Sequence, residues 1–129
     1  MNLFEYEAKQ EFLKHKISIP KGVLITETNQ LAGAIVNLKP PYVLKGQVLV
    51  GGRGKAGGIL FAASEKDAEE TAIKLFGAYI RGLPVNQVLI EEKIAIRKEL
   101  YLGFTVDRFN RSYVSIASAK GGVEIGNSQ

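Results

Sequence analysis

The apolar positions come in short runs divided by polar breaks, and their spacing switches between a helical period and a strand period. Leu3, Tyr6, Phe12 and Leu13 share one side of a predicted helix over residues 2–15, with Asn2 as cap and Glu5 three residues later closing a capping box. That side is expected to be buried. Ile19-Pro20-Lys21 breaks the helix, and Gly22-Val23-Leu24-Ile25-Thr26 reads as a short strand. Thr28 then caps a second helix to about Leu38, with Leu31, Ala34, Ile35 and Leu38 on one side, ended by Pro40-Pro41. Residues 42–50 form a strand that is apolar on both faces except at Lys45 and Gln47. Such a strand belongs in the interior of a sheet.

Ile59-Leu60-Phe61-Ala62 reads as another strand, and Ser64 caps a third helix with Glu65 and Asp67 in its first turn. Its buried stripe is expected to be Ala68, Thr71, Ala72, Leu75, Phe76 and Tyr79. Residues 80–86 form a loop, and 87–91 a strand ending in the pair Glu91-Glu92. Two further strands, 100–107 and 112–117, flank the polar turn 108–111 and make a hairpin. The fold class is α+β, with antiparallel or mixed strands.

Composition narrows the function. The chain has 129 residues, 46% of them hydrophobic, which supports one domain or one and a part with a real core. Seventeen basic against 13 acidic side chains give a net charge of +4, and the lysines are scattered apart from one dense cluster. That suits a small anionic ligand better than a nucleic-acid stripe. Zero cysteines excludes disulfides and thiolate metal sites. No apolar run approaches a membrane span, and Met1-Asn2-Leu3-Phe4-Glu5 lacks the features of a signal peptide, so a soluble, cytoplasmic protein is expected. His15, the only histidine, lies between Lys14 and Lys16 with no orienting partner, and no catalytic role is assigned to it.

The dense cluster is Gly51-Gly52-Arg53-Gly54-Lys55-Ala56-Gly57-Gly58, five glycines in eight residues, directly after the lysine strand. Glycine has no Cβ and tolerates positive φ, so successive N–H groups can converge on an anion. Lys45, Arg53 and Lys55 supply the matching charge. The Walker pattern fails, because Lys55 is followed by Ala56 and its first glycine would fall at Leu49. Gly52-Arg53-Gly54-Lys55-Ala56-Gly57 satisfies G-x-G-x-x-G, but a dinucleotide fingerprint must open a helix, whereas a strand follows here. A glycine flap between antiparallel strands, with a lysine one strand away, is an arrangement that covers nucleotide triphosphates. The competing reading is a mobile surface hairpin, which leaves the three cations unexplained. A buried Lys45 also needs an anion, unless it snorkels to a sheet edge.

Six blocks, in order, resemble one family. They are residues 2–9, the glycine cluster, Pro84-Val85-Asn86-Gln87, Lys98-Glu99-Leu100-Tyr101-Leu102-Gly103, Val106-Asp107-Arg108, and Gly121-Gly122-Val123-Glu124-Ile125. Together they resemble the start of the β subunits of ADP-forming succinate–CoA ligases, which are ATP-grasp enzymes; malate–CoA ligase β subunits are similar over the same region. The resemblance implies that Lys45 meets the nucleotide phosphates and that Gly52, Arg53 and Gly54 form the flap over them. It places Glu91 and Ile94 at the base and Glu99 at the ribose hydroxyls. Solvated strand-end charges are the alternative for Glu91 and Glu99.

The resemblance further implies ATP or GTP with Mg²⁺ as cofactors, an α subunit bearing a phosphohistidine as partner, and CoA and succinate as substrates of the full enzyme. It implies a first grasp lobe over 20–105, an incomplete start of the second lobe over 106–129, and an N-terminal helix over 1–19 that packs with the second lobe. The family's Mg²⁺ ligands and CoA-ligase domain have no counterpart in these 129 residues. Isolated turnover is therefore not expected, and a binding or assembly role without catalysis is the second reading.

Overall fold

The computed structural model describes residues 2–121, which fall into two compact units, one ending at Ile94 and the other starting at Ala95. Each is described by itself. In the first, four antiparallel strands form a sheet in the order β1-β6-β2-β3: β1 Gly22–Ile25, β2 Tyr42–Gly46, β3 Ile59–Ala62 and β6 Val88–Glu92. The lysine strand is thus interior, as its apolar faces require, although it stops at Gly46 rather than running to 50. Beyond it the chain stays bonded to the segment that leads into β6, the Gln47 N–H donating to the Gln87 carbonyl at 2.9 Å.

Pleating divides β2 between two environments. Tyr42 and Leu44 face the core with Ile90, which lies opposite Leu44, and helices α2 (Leu31–Ile35) and α3 (Glu65–Phe76) cover that side. Leu31, Ile35, Leu38, Ala68, Ala72 and Leu75 fill the layer between. The capping signal of α3 is realised, with the Asp67 N–H donating to Ser64 Oγ at 3.2 Å. The expected stripe ends one turn early: Tyr79 lies past the helix in β4 (Tyr79–Ile80) and is exposed, while Ile80 is buried in its place. Strand β4 turns through Arg81 and Gly82, both at positive φ, into β5 (Leu83–Pro84), so the expected loop contains a two-stranded ribbon. The second expected helix is a 3-10 turn, Thr28–Gln30, running into the short α2.

Helix α1, Glu5–Lys14, departs most from expectation. Its cap is Phe4, whose N–H donates to Glu7 Oε2 at 2.8 Å, and none of its residues is fully buried. Phe12 and Leu13, expected on the buried side, are about half exposed, as is Leu3 just before the helix. Charge, not the apolar stripe, attaches this helix, and Glu5 is used there rather than in a cap. Helix α1 falls within the compact unit that ends at Ile94.

The second unit contains the expected hairpin, β7 Tyr101–Asp107 and β8 Ser112–Ser118. Its turn is closed by Asp107, which accepts from the N–H groups of Phe109 and Asn110 and from Asn110 Nδ2. These bonds, the Asn110 backbone first, hold the Asp107 carboxyl below its usual range. Large apolar side chains stand exposed on this hairpin, among them Phe104, Phe109 and Tyr113. The 122–125 block quoted above lies outside the described residues.

Candidate functional site

On the face of the sheet away from the core, β2 presents Lys45 and β6 presents Glu91. Glu91 lies opposite Val43, two residues from Lys45, so the two side chains share a face. Helix α1 lies over this face and adds Glu5 and Lys9, one helical turn apart. The glycine loop adds Arg53. Lys45 Nζ is 2.8 Å from Glu5 Oε1 and 2.6 Å from Glu91 Oε2, while Arg53 Nη2 is 2.5 Å from Glu5 Oε2. Lys9 Nζ bridges Glu5 Oε1, at 3.0 Å, and Glu91 Oε1. Three cations and two carboxylates therefore form one connected network with an excess of one positive charge.

The network is shielded from water: the Glu91 side chain is 3% exposed, and those of Lys45 and Arg53 are each 18% exposed. Burial alone would raise the Glu5 pKa, but the hydrogen bonds and charges of Lys45 and Lys9 outweigh it and bring it to about 2. Burial would likewise push Lys45 down, and its hydrogen bonds to Glu5 and Glu91 reverse the direction, so its pKa is raised. The anion that a buried Lys45 demanded is supplied by the chain itself. Gln47 completes the attachment of α1, accepting from the Tyr6 N–H at 3.1 Å and donating to the Lys45 carbonyl at 3.0 Å.

Arg53 is held from both ends, since its Nη1 donates to the Gly46 carbonyl at 3.1 Å. The glycine loop around it is a set of tight turns: the N–H groups of Gly58 and Ala56 donate to the carbonyls of Arg53 and Gly52, and Gly52 and Gly57 have φ of 70° and 77°. A strand, β3, follows this loop, which removes the dinucleotide reading. A cavity of about 600 Å³ opens beside Glu5 and Arg53, lined also by Asn2, Leu3 and the loop residues Val48, Leu49 and Val50.

Of the seven residues singled out from the sequence, Lys45 pairs directly with Glu91 and is linked to Arg53 through Glu5, and Gly52 and Gly54 shape the loop carrying Arg53. Ile94 ends the first unit and is 55% exposed. Glu99 is exposed and belongs to the second unit, where its Cβ lies against Gly121. Sequence reasoning missed Glu5, Lys9 and Gln47 as members of the site. The available signal was a Glu-x-x-x-Lys pair at the start of the helix, together with buried cations lacking partners on their own strand. Among the described residues no cluster of His, Asp or Glu is arranged to hold a metal ion, and no helix is long and apolar enough to cross a membrane.

Residues 2–127 match the family model described as an ATP-grasp domain. The chain is 51% identical over 125 residues to the succinate–CoA ligase [ADP-forming] subunit β of Ignicoccus hospitalis, and 45% identical to the subunit β 2 of Archaeoglobus fulgidus. In each case the match takes in 97% of this chain and 33% of the relative, so the chain spans about a third of the length of these curated relatives. Among solved structures it is similar to phosphoribosylamine–glycine ligase from Thermotoga maritima, with a TM-score of 0.63, 27% identity, and coverage of 88% of this chain and 27% of that one. A RimK-domain ATP-grasp protein from Sphaerobacter thermophilus, at 18% identity and a TM-score of 0.56, shares the fold over 77% of this chain and 36% of its own.

Proposed function

Because the chain belongs to the ATP-grasp family, we propose that its first unit is a nucleotide-phosphate site and that the chain is the nucleotide-binding part of an ADP-forming succinate–CoA ligase β subunit. One observation carries the site: Lys45 and Arg53, from a buried strand and a glycine loop, converge on the two oxygens of a single carboxylate. Two cations preset around one small oxyanion fit a phosphate by charge-assisted hydrogen bonds. The names of the relatives support the enzyme class.

ATP supplies the transferable phosphoryl group, with GTP as the competing nucleotide, and Mg²⁺ accompanies it. The residues of this chain bind and orient. Lys45 neutralises phosphate charge, Arg53 closes over it from the loop, and Gly52, at positive φ, lets the backbone approach without a Cβ. Ile94 contacts the base and Glu99 the ribose hydroxyls. Both Glu91 oxygens are engaged by Lys45 and Lys9, so its first task is to aim Lys45, and any base contact must share those oxygens. In the complete enzyme the phosphoryl group passes by way of a histidine on an α subunit to the succinate carboxylate, and the CoA thiol then displaces phosphate to form the thioester.

Calorimetric titration of the chain with Mg-ATP, and with Mg-GTP alongside, tests the site. Saturable binding that weakens on the order of 10- to 100-fold in Lys45→Ala is expected, the loss of one charge-assisted hydrogen bond. Equal binding by Lys45→Ala would remove that lysine from the site.

A further inference from the structure

We infer that the Glu5 carboxylate stands where an anionic ligand of Lys45 and Arg53 belongs, and that a polyphosphate displaces it and so loosens helix α1 on the sheet. The inference rests on the phosphate reading of Lys45 and Arg53 given above and goes beyond it. Glu5 is a positioning residue in this account, touching the cations rather than the substrate.

Three observations meet here. First, Glu5 uses both oxygens: Oε1 takes Lys45 at 2.8 Å and Lys9 at 3.0 Å, and Oε2 takes Arg53 at 2.5 Å. A carboxylate and a phosphate edge present the same two-oxygen fork to such donors. Second, Glu5 is the replaceable anion of the pair. Glu91 is fixed in β6 within the sheet, whereas Glu5 arrives on a helix with no fully buried residue, attached by these ion pairs and by the Tyr6–Gln47 bond. Third, the cavity of about 600 Å³ is bounded by Glu5 and Arg53 themselves, so a phosphate chain entering it meets the Arg53–Glu5 pair first.

Charge sets the direction of exchange. Lys9, Lys45 and Arg53 against Glu5 and Glu91 leave one uncompensated positive charge, and a phosphate group of charge −2 in place of Glu5 removes it. Lys9 keeps Glu91 when Glu5 leaves, so the sheet face stays paired. The ion pairs of Glu5 are exchanged for stronger ones, and α1, still held through Lys9, loses two of its three ion pairs to the rest of the unit.

The test uses inorganic tripolyphosphate and Mg-ATP as separate probes on the 129-residue chain and on Glu5→Gln, which keeps the side-chain volume but cannot replace the charge. Calorimetry is expected to show Glu5→Gln binding tripolyphosphate about tenfold tighter or more. Hydrogen exchange is expected to show faster amide exchange across residues 8–14 of the unmodified chain when tripolyphosphate saturates it. Equal or weaker binding by Glu5→Gln overturns the inference, as does slower or unchanged exchange in α1, or no tripolyphosphate binding by either chain. If Glu5→Gln gains affinity for tripolyphosphate while ATP binds no better than tripolyphosphate, the nucleotide reading falls and the exchange of Glu5 for phosphate stands. If Glu5→Gln fails to fold, as read by circular dichroism, hydrogen exchange in the unmodified chain decides alone.

Discussion

Lys45 and Glu91 meet diagonally across the β2–β6 pairing, Glu91 opposite Val43 and Lys45 opposite Leu89, with Nζ 2.6 Å from Oε2. Neither could be buried alone. Removing Glu91 by Glu91→Ala leaves Lys45 and Lys9 sharing Glu5, with their charges still shielded from water. The expected loss is about 3–5 kcal/mol of unfolding free energy in urea denaturation, because breaking a buried pair costs more than the pair contributes net. Glu91→Gln keeps hydrogen-bond acceptance to one ammonium and should lose less. A change below about 1 kcal/mol in Glu91→Ala would mean that solvent already screens this network.

The acid limb of stability should carry the signature of Glu5. Its folded pKa of about 2 lies below the ordinary 4.5, so its contribution is complete above pH 4.5 and is lost as the pH falls toward 2. After solvent screening it is on the order of 2 kcal/mol. The raised pKa of Lys45 works at the other end: its contribution is complete below the ordinary 10.5 and is lost as the pH rises past that value. Thermal melts at pH 6 and pH 3 should differ more for the unmodified chain than for Glu5→Gln. Equal pH sensitivity of the two would remove Glu5 from the acid transition.

Two glycines should respond to alanine with opposite signs. A Cβ on Gly22 would lie 2.7 Å from both Glu91 Cγ and the Ile90 carbonyl, so Gly22→Ala must displace β1 from β6 or move Glu91 off Lys45. Destabilisation of about 1–3 kcal/mol is expected. Gly33, inside α2, has nothing within 4 Å of its Cβ position, and Gly33→Ala should stabilise by about 0.5–1 kcal/mol through reduced chain entropy. Denaturant midpoints of the two variants check the pair of signs.

Gly52→Ala separates binding from folding. Its φ of 70° is unfavourable for alanine, and the new Cβ would lie 2.7 Å from Arg81 Nη2, the far end of a flexible side chain that can swing away. The fold should lose about 1 kcal/mol, while Mg-ATP affinity should fall further because the loop that aims Arg53 must change shape. Affinity tracking the small stability loss would show that the loop conformation does not matter for the ligand.

What was legible in the sequence was local. Ser64 with the acidic turn after it, the apolar strand carrying Lys45, and the Asp107 turn between two alternating strands each carry their signal within a few residues, and each was realised. The requirement that Lys45 meet an anion was legible too, from the cost of burying a lone charge. The anion itself was not, because Glu5 lies 40 residues from Lys45 and 48 from Arg53, and a carboxylate in a first helical turn has an ordinary reading as a cap. The same ambiguity misled the reading of α1: Leu3, Phe12 and Leu13 have helical spacing, but the helix docks by charge and leaves them half exposed.

The pairing of β1 with β6 and of Lys9 with Glu91, residues 82 apart, sets the order in which the first unit can assemble during synthesis. Helix α1 and strand β1 leave the ribosome before the rest of this unit, and the partners that fix them come later in the chain. Until β6 emerges, β1 has no neighbour and the Lys45 ammonium lacks its strand-borne carboxylate. The last strand of the sheet in the chain thus supplies both the partner of β1 and the second carboxylate of the network, and a nascent chain cut short before residue 88 would hold β2, β3 and α3 with Glu5 alone to seat Lys45. Assembly of this unit is therefore expected to be a single late event rather than a stepwise growth from the N-terminus.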